Sequence, residues 1–368
     1  MNSPLIIADQ NMPFVEDYFG QLGEVKLMAG RDIDRQAIES AEILLVRSVT
    51  EVNSDLLQGS AVRFVGSATA GTDHIDLEYL EKNNIHFAHA PGCNAEAVVQ
   101  YVLSVFSYLK PEWQQSRVGI VGCGNVGGRL YQKLQSLGVE CRVYDPFLTT
   151  TQIPDLVTFD KILRCDIISL HTPLTSAGDF PTYHMFNQQM LDQLKPNSLL
   201  INAGRGGVID NLALIDRLKQ SDNLQVALDV WESEPHINTE LVDLVSLATP
   251  HIAGYSHEGK VRGTSMLAEA LHKTYLTDRS MALPNNLNDS LKAPLDTAGI
   301  DLNQLLLECY KVADDDQRMR KALKGGDIAV SFDQLRKTYP QRREYNHFKI
   351  SADSPIYPQL KLLGFSGA

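Results

Sequence analysis

Short apolar runs alternate with longer polar stretches through the first 90 residues of the chain. Four runs have the length and composition of buried strands: Leu5–Ala8, Ile43–Val46, Val62–Val65 and Ile85–Ala88. Such alternation is typical of parallel strands joined by helical crossovers. Pro91 and Gly92 interrupt the pattern, and a long apolar helix is predicted over residues 94–109, ended by Pro111.

A second α/β series begins at Arg117. Its predicted strands are Val118–Val121, Cys141–Tyr144, Ile167–Leu170, Leu199–Ile201, Val226–Leu228 and Val245–Ala248. A helix from about Glu258 to Leu276 could return the chain to the first domain, and a small unit with a strand at Phe348–Ile350 follows residue 284. The sequence therefore predicts an α/β protein with two Rossmann-like, doubly wound parallel-sheet domains and a small C-terminal α+β domain.

Composition favours a folded globular chain, with 43% hydrophobic and 21% charged residues. The most apolar helical stretch, Ala97–Leu109, has 13 residues, whereas a bilayer span needs about 20. The first residues lack the basic segment of a secretory signal. We therefore expect a cytoplasmic protein with no membrane contact.

The net charge of -12 and the pI near 5.3 indicate an acidic surface. No dense block of Lys and Arg is present, so nucleic acid is not an expected partner. A small anion would have to be held by a few arginines and helix N-termini. The cysteines are odd in number and match no metal or redox spacing, which predicts reduced thiols and no metal site: Cys93, Cys123, Cys141, Cys165 and Cys309.

A glycine-rich turn follows the predicted strand Val118–Val121, with the pattern G-x-G-x-x-G at Gly122, Gly124 and Gly127. The first glycine permits a tight turn, the second lets the backbone approach a pyrophosphate, and the third lets the next helix pack closely. That helix is predicted from Arg129 to Leu137. Taken alone, the pattern could also be a structural turn, but its place between strand and helix favours dinucleotide binding.

An acidic residue, Asp145, ends the next strand, 23 residues after Gly122. A carboxylate there accepts hydrogen bonds from ribose hydroxyls and repels a 2′-phosphate. Pro146 and Phe147 follow it, with no arginine to accommodate that phosphate. The pattern therefore predicts NAD rather than NADP.

Three further loops follow predicted strands and carry Arg205, Glu234 and His251. Oxidation of a 2-hydroxy acid needs a planar cation for the carboxylate, which suits Arg205. It also needs a base that titrates near neutrality, which suits His251, and a carboxylate that orients this base, which suits Glu234. Singly, each could be an ordinary surface or capping residue. Their placement after consecutive strands favours catalysis.

At these residues the chain resembles the D-2-hydroxyacid dehydrogenase family, over residues 1 to about 280. The resemblance implies Arg205 as the substrate and catalytic arginine, His251 as the acid/base and Glu234 as its partner. It places Thr172 near the cofactor and Asp229 towards the nicotinamide half, whereas His171 is expected to have no chemical role. The NAD site then comprises Gly122, Gly124, Asn125, Val126, Gly127, Asp145, Thr172, Ala203, Gly204, Arg205, Asp229 and Gly254.

Further stretches resemble those family members that act on 4-phospho-D-erythronate: Val46–Thr50, Thr69–His74, Ala90–Ala95, His251–Lys260, Phe332–Lys337 and Arg342–Glu344. This resemblance implies oxidation to the 2-oxo acid on the route to pyridoxal phosphate, and a homodimer formed through the C-terminal domain. It implies substrate contacts from Ser48, Thr69 and Tyr255. One departure is Gly204, where these members often have Cys, and this could loosen the loop beside Arg205.

The phosphate of such a substrate needs additional positive charge. Arg47 is a plausible cation for it, although a buried salt bridge at the strand end would explain this residue equally well. Arg342 or Arg343 of a partner chain is a second candidate source.

We predict a discontinuous substrate-binding domain (residues 1–93 with about 256–284), an NAD-binding domain (94–255) and a dimerisation domain (285–368). Three alternatives stay open: a dehydrogenase of another 2-hydroxy acid such as 3-phosphoglycerate, a non-catalytic scaffold that senses NAD, and a structural Rossmann protein without turnover.

Overall fold

The computed structural model describes residues 3–221, 223–274, 293–297 and 299–367. The chain folds into two compact units. Unit 1 holds the residues up to Asn94 and the segment that starts at Ser256. Unit 2 holds Ala95–Tyr255 and the described C-terminal residues from 293 onward.

Unit 1 is built on a five-stranded parallel sheet in the order β2-β1-β3-β4-β5. The strands are β1 (Leu5–Asp9), β2 (Glu24–Met28), β3 (Ile43–Val46), β4 (Phe64–Ser67) and β5 (His86–His89). Residues on both faces of β3 and β4 are buried, as expected for the centre of a parallel sheet.

Unit 2 contains a six-stranded parallel sheet in the order β11-β10-β9-β8-β6-β7. Its strands are β6 (Val118–Val121), β7 (Cys141–Tyr144), β8 (Ile167–Leu170), β9 (Ser198–Asn202), β10 (Leu224–Leu228) and β11 (Leu247–Ala248). A small parallel sheet near the C-terminus joins β12 (Ala293–Pro294), β13 (Phe348–Ile350) and β14 (Ser366–Gly367). The predicted fold class, two parallel α/β sheets with a small C-terminal α+β element, is confirmed.

Helices connect most of these strands. They are α1 (Val15–Phe19), α2 (Ser54–Leu57), α3 (Leu77–Lys82), α4 (Ala95–Leu109), α5 (Asn125–Ser136), α6 (Phe159–Ile162), α7 (Gln188–Asp192), α8 (Asn211–Gln220), α9 (Thr239–Leu244), α10 (His257–Thr274), α11 (Leu302–Cys309), α12 (Val312–Leu323), α13 (Ile328–Lys337) and α14 (Tyr357–Leu363). Short 3-10 helices lie at Gly30–Asp32, Trp113–Gln115, Gly206–Val208 and Tyr345–His347.

Several element boundaries differ from the sequence prediction. Strand β2 was not predicted, because it is an edge strand with mostly exposed or half-buried residues. Helix α5 starts at Asn125, immediately after Gly124, rather than at Arg129. Strand β4 lies two residues later than predicted, and β11 is only two residues long. The end of the predicted helix at Leu276 falls outside the described residues.

The C-terminal helices share the hydrophobic core of unit 2. On one face of the sheet, Leu305 and Leu306 of α11 join the cluster that contains the buried helix α4. On the other face, Met319 and Phe332 join the cluster beneath α8 and α9. The assignment of separate functions to residues 94–255 and 285–368 stays a prediction.

No helix within the described ranges is both long and apolar enough to span a membrane. All five cysteines are free thiols. Burial raises the pKa of Cys141 to about 12 and that of Cys165 to about 11, so these thiols are protonated near neutrality.

The turn between β6 and α5 depends on two of its glycines. Gly122 has a φ of 84°, a left-handed conformation that side chains disfavour. A Cβ at Gly127 would lie 1.9 Å from the carbonyl oxygen of Gly122, whereas a Cβ at Gly124 would meet no protein atom within 4 Å. Packing within the protein therefore requires glycine at position 127 but not at 124.

We predict that Gly127→Ala lowers the free energy of unfolding by about 2 kcal/mol or more, because the new methyl group overlaps backbone that cannot move freely. The matched variant Gly124→Ala should cost less than about 1 kcal/mol, since its Cβ meets open space. Urea denaturation followed by circular dichroism measures both. Equal losses for the two variants would contradict this account of the turn.

Candidate active site

The glycine loop and Asp145 are joined by direct hydrogen bonds. Asp145 Oδ2 accepts a hydrogen bond of 2.9 Å from the backbone amide of Cys123, and Oδ1 accepts one of 3.1 Å from that of Phe147. The carboxylate is thus fixed beside the N-terminus of α5, where Asn125 and Val126 form the first turn. Exposed amides and the helix dipole make such a terminus suitable for a pyrophosphate.

Thr172 lies between two loops that the sequence assigned to the cofactor. A Cβ placed on Gly122 would lie 3.0 Å from Thr172 Cγ2, and a Cβ placed on Gly204 would lie 3.1 Å from the Thr172 carbonyl oxygen. The Thr172 hydroxyl is buried and has no hydrogen-bond partner within the described chain. The strands before Gly122 and Thr172, β6 and β8, are neighbours at the point where the strand order reverses. Open α/β sheets bind ligands at such switch points.

His171, beside Thr172, is half-buried, with its Nε2 2.9 Å from Ser169 Oγ and its Nδ1 buried without a hydrogen-bond partner in the described part of the chain. Burial lowers the pKa of His171 to about 3, so the imidazole is neutral. That His171 has no chemical role stays a prediction.

Arg205 is carried by the loop after β9, which Asn202 holds from two sides. The Asn202 side chain donates a 2.9 Å hydrogen bond to the carbonyl oxygen of Arg205 and accepts one of 3.1 Å from the amide of Gly204. Arg205 Nη1 donates to the Gly204 carbonyl at 2.9 Å. Sequence reasoning gave Asn202 no role, although a polar residue that ends an apolar strand was a usable signal. These bonds hold the loop even though Gly204 lacks a side chain.

The loops after β9 and β10 are in direct contact. A Cβ at Gly206 would lie 2.0 Å from the carbonyl carbon and oxygen of Trp231. Only glycine permits this approach. The contact brings the backbone next to Arg205 against the loop that carries Glu234, while Ala203 packs on the core at the start of its own loop.

Asp229, at the end of β10, organises the loop that carries His251. It is 1% exposed, and its Oδ1 accepts hydrogen bonds from the Thr249 hydroxyl at 2.7 Å and the Ile252 amide at 2.8 Å. Oδ2 accepts one of 2.9 Å from the amide of Ala253, the residue before Gly254. Burial raises the pKa of Asp229, while these donors oppose the shift. The carboxylate thus positions the histidine loop, and its contact with the cofactor stays a prediction.

Glu234 and His251 form a hydrogen-bonded pair with 2.7 Å between Oε2 and Nδ1. The other oxygen of Glu234 accepts a 2.8 Å bond from the Trp231 amide. Burial raises the pKa of Glu234, but His251 and the two hydrogen bonds outweigh it and leave the pKa below its ordinary value. The side chain of His251 is 34% exposed. An imidazole whose Nδ1 is held by a carboxylate is suited to exchange a proton at Nε2.

The backbone of His251 adopts a left-handed conformation with a φ of 56°. Its amide donates a 2.7 Å hydrogen bond to the Asp229 carbonyl. For a residue with a side chain this conformation costs about 1 kcal/mol or more, and it is common at functional sites. The bonds to Asp229 offset that cost.

Ser48 and Thr69 follow the neighbouring strands β3 and β4 of unit 1. Ser48 is exposed in a turn. Thr69 Oγ1 donates to the Gly71 carbonyl at 2.7 Å and lies 2.7 Å from Ser67 Oγ. The two hydroxyls are therefore at the same edge of this sheet.

Unit 1 also contains a cation that sequence reasoning missed. Burial lowers the pKa of Lys260 to about 8, and the positive charge of Arg47 adds to this effect, while Asp9 opposes it. Two cations that repel each other in a partly buried place favour an anionic ligand. No local spacing connects residues 47 and 260, so only the fold could reveal this proximity.

Tyr255 and Arg342 lie in unit 2. The Tyr255 ring packs edge-on against Tyr339, with 5.7 Å between the centroids. Arg342 is buried, and its Nη2 donates to the carbonyl oxygens of Ala97 and Ala253 of the same chain. The suggestion that Arg342 supplies charge to a partner subunit is therefore wrong, because its guanidinium is enclosed within its own unit.

Two known domain families match parts of the chain. Residues 100–253 match the family described as D-isomer specific 2-hydroxyacid dehydrogenase, NAD binding domain. Residues 283–364 match a domain of unknown function. The chain therefore carries an NAD-binding domain, as the glycine loop and Asp145 predicted.

Curated relatives match nearly the full length. The chain is 46% identical over 372 residues to the erythronate-4-phosphate dehydrogenase of Saccharophagus degradans, covering 98% of both chains. It is 45% identical over 359 residues to the protein of the same name from Cellvibrio japonicus, covering 94% of both.

Solved structures share the fold. The NAD+-bound 3-phosphoglycerate dehydrogenase of Entamoeba histolytica aligns with a TM-score of 0.64 and 24% identity, over 77% of this chain and 99% of that one. The D-lactate dehydrogenase of Aquifex aeolicus, complexed with NAD and lactic acid, aligns with a TM-score of 0.62 and 22% identity, over 74% and 95%. At this identity the similarity establishes the fold alone.

The geometry of the Glu234–His251 pair and the NAD-binding loop agrees with these relationships. The chain belongs to the erythronate-4-phosphate dehydrogenase family, within the D-isomer specific 2-hydroxyacid dehydrogenases.

Proposed function

We propose that this protein oxidises 4-phospho-D-erythronate to (R)-3-hydroxy-2-oxo-4-phosphooxybutanoate with NAD, on the route to pyridoxal 5′-phosphate. The single observation that carries the reaction type is the hydrogen-bonded pair of Glu234 and His251, in the unit whose sheet also carries the nucleotide-binding turn. The full-length similarity to erythronate-4-phosphate dehydrogenases supports the choice of substrate.

In this proposal His251 takes the proton of the substrate's 2-hydroxyl group as the alcohol is oxidised. Glu234 fixes the imidazole with its Nδ1 protonated and stabilises the cation that forms. Arg205 holds the substrate carboxylate with two parallel hydrogen bonds, which a planar guanidinium can form and an ammonium cannot. Arg205, Glu234 and His251 are thus the proposed catalytic residues.

The residues around the glycine loop fit NAD. Gly124 leaves open space where a side chain would stand, and the Thr172 hydroxyl is buried without a partner among the described residues. Asp145 carries a negative charge beside the turn, which opposes a 2′-phosphate. When bound, NAD supplies the acceptor for the hydride. The remaining proposed contacts are Gly122, Asn125, Val126, Gly127, Ala203, Gly204, Arg205, Asp229 and Gly254.

We assign the substrate contacts to Ser48, Thr69 and Tyr255. The hydroxyl groups of these residues can donate hydrogen bonds to an anion. Arg47 and Lys260 supply positive charge to unit 1, which suits a phosphate that carries nearly two negative charges. The acidic chain would otherwise repel such a ligand.

A direct assay tests the substrate. Purified protein with NAD should form NADH from 4-phospho-D-erythronate with a kcat/KM at least about 100-fold above that for 3-phosphoglycerate, because four-carbon and three-carbon acids place carboxylate and phosphate at different separations. Absorbance of NADH measures both rates. Preference for 3-phosphoglycerate would favour the alternative dehydrogenase, and NAD binding without turnover of either acid would favour a sensing scaffold.

A second prediction concerns the hydrogen-bonded pair of Glu234 and His251. His251→Gln should retain NAD binding and lose about 100- to 10,000-fold in kcat, as expected for the loss of an acid/base. Glu234→Gln should lower kcat and move the acid limb of the kcat/KM profile for oxidation to lower pH. The acid limb moves in this direction because the Glu234 carboxylate favours the imidazolium form of His251. Without that carboxylate, the neutral base persists to lower pH.

A matched control is available in the same unit. Glu232 also pairs with a histidine, His184, with 2.6 Å between Oε1 and Nε2, but this pair is not assigned to catalysis. Glu232→Gln should leave the pH profile unchanged. Wild-type kcat in His251→Gln, or an equal shift in Glu232→Gln, would count against the proposed roles.

We further propose a cytoplasmic homodimer formed through the C-terminal domain. Val330 on α13, within the C-terminal domain, is 67% exposed and is therefore accessible to a partner subunit. The resemblance to dimeric family members supports this assignment.

Light scattering on the full-length protein tests the dimer. We expect twice the chain mass of 40.8 kDa. Val330→Glu should shift the mass towards the monomer, because it places a charge in an apolar interface. Leu212→Glu changes a residue that is 69% exposed on α8, outside the C-terminal domain, and should leave the dimer intact. A monomeric wild-type protein at micromolar concentration would refute the assembly.

A further inference from the structure

The C-terminal segment, residues 293–367, places an arginine next to the proposed catalytic pair. Arg336 lies on α13, and its guanidinium carbon is 5.8 Å from the centroid of the Tyr255 ring. Glu234 and Tyr255 both interact electrostatically with this guanidinium. All of these residues belong to unit 2. The match to a domain of unknown function covers Arg336 and assigns it nothing.

The same segment contacts the stretch from β11 to Tyr255 at several points. Asp316 accepts a 2.7 Å hydrogen bond from the Ala248 amide. Arg342 donates to the Ala253 carbonyl, and the Tyr339 ring packs on Tyr255. These contacts come from three places in the segment and converge on the loop that holds His251. The C-terminal segment therefore supports that loop directly.

Packing alone does not explain an arginine at position 336. Its Nε is buried and has no hydrogen-bond partner in the described part of the chain, an arrangement that reduces stability. Burial lowers the pKa of Arg336, but its electrostatic interactions with Tyr255 and Glu234 and a side-chain hydrogen bond with Tyr255 outweigh it and leave the pKa above its ordinary value. The guanidinium is therefore charged at every pH at which the enzyme would work.

We propose that Arg336 is a positioning residue of the active site, through which the C-terminal segment orients Tyr255 and keeps a positive charge beside the Glu234–His251 pair. This inference rests on the proposed function and deepens it. The C-terminal segment would thus complete the catalytic site of its own chain, in addition to any part it has in dimerisation.

The expected effect on the histidine follows from its charged surroundings. The carboxylates of Glu234 and Asp229 interact with His251 in the sense that favours its imidazolium form. Arg336 adds a positive charge beside Glu234, and we expect this charge to oppose that effect. The other titratable group facing Arg336 is the Tyr255 phenol. Removing the positive charge should make His251 easier to protonate. Oxidation needs the neutral base, so its acid limb should move to higher pH.

Three variants separate charge from packing. Arg336→Gln removes the charge, and Arg336→Met is a second neutral variant in case the first unfolds. Arg336→Lys keeps the charge but not the planar group. The matched control is Arg318→Met, because Arg318 lies 5.9 Å from the ring centroid of another tyrosine in the segment, Tyr339, and pairs with Asp315.

Two readouts are compared at equal folded fraction, checked by thermal unfolding. The first is the pH profile of kcat/KM with 4-phospho-D-erythronate and NAD. The second is the titration midpoint of the His251 imidazole in 15N-histidine NMR spectra, assigned with His251→Gln. For the neutral variants we expect about a tenfold loss in kcat/KM and both midpoints higher by about half a pH unit or more. Arg336→Lys should restore the midpoints but not the full kcat/KM, because an ammonium cannot replace the planar contact with Tyr255.

The inference is overturned if the neutral variants titrate like the wild type, or if Arg318→Met shifts the midpoints equally. The NMR titration needs no substrate, so it decides the role of Arg336 even if wild-type protein does not oxidise 4-phospho-D-erythronate. A lack of turnover in the wild type would instead reject the proposed function.

Discussion

A single buried carboxylate, that of Asp229, determines where His251 stands. The Asp229 carboxylate accepts three hydrogen bonds from the Thr249–Ala253 stretch. The backbone carbonyl of the same residue accepts a fourth hydrogen bond, from the amide of His251. A buried carboxylate must be satisfied by donors, and these bonds fix the loop because few other arrangements provide as many. The left-handed backbone of His251 is held in this way, and the imidazole is presented to Glu234.

Parallel strands explain why the other groups gather near that pair. The loops after β6, β8, β9 and β10 leave the same edge of the sheet, and the close approaches at Gly122, Gly204 and Gly206 bring them together. Each approach is possible because glycine has no side chain. Backbone packing therefore sets the spacing of the nucleotide loop, Thr172 and Arg205 before any ligand binds. Such preorganisation is what a hydride-transfer site requires.

The C-terminal segment gives this site a second layer of support. Its helices contribute Leu305 and Phe332 to the core on both faces of the sheet. Its arginines and one aspartate contact the stretch from β11 to Tyr255. Burying the Arg342 guanidinium is costly unless it has partners, and it lies over the Tyr310 ring at 4.3 Å and donates to the carbonyl oxygens of Ala97 and Ala253. We infer that folding of this segment and the geometry of the loop that carries His251 are coupled.

The sequence by itself determined the two parallel sheets and the nucleotide turn with Asp145, and it supplied the prediction that Arg205, Glu234 and His251 carry the chemistry, because each depends on a local pattern of apolar residues, glycines or chemically suited side chains. Edge strand β2 escaped prediction because its half-exposed residues lack the continuous apolar run of a buried strand. Only the tertiary structure decided that Asn202 and Asp229 hold the loops that carry Arg205 and His251, that Arg342 is enclosed in its own unit, and that Arg336 lies near Glu234. Most of these facts depend on contacts between residues far apart along the chain, and no local pattern encodes which distant side chains a folded core will bring together.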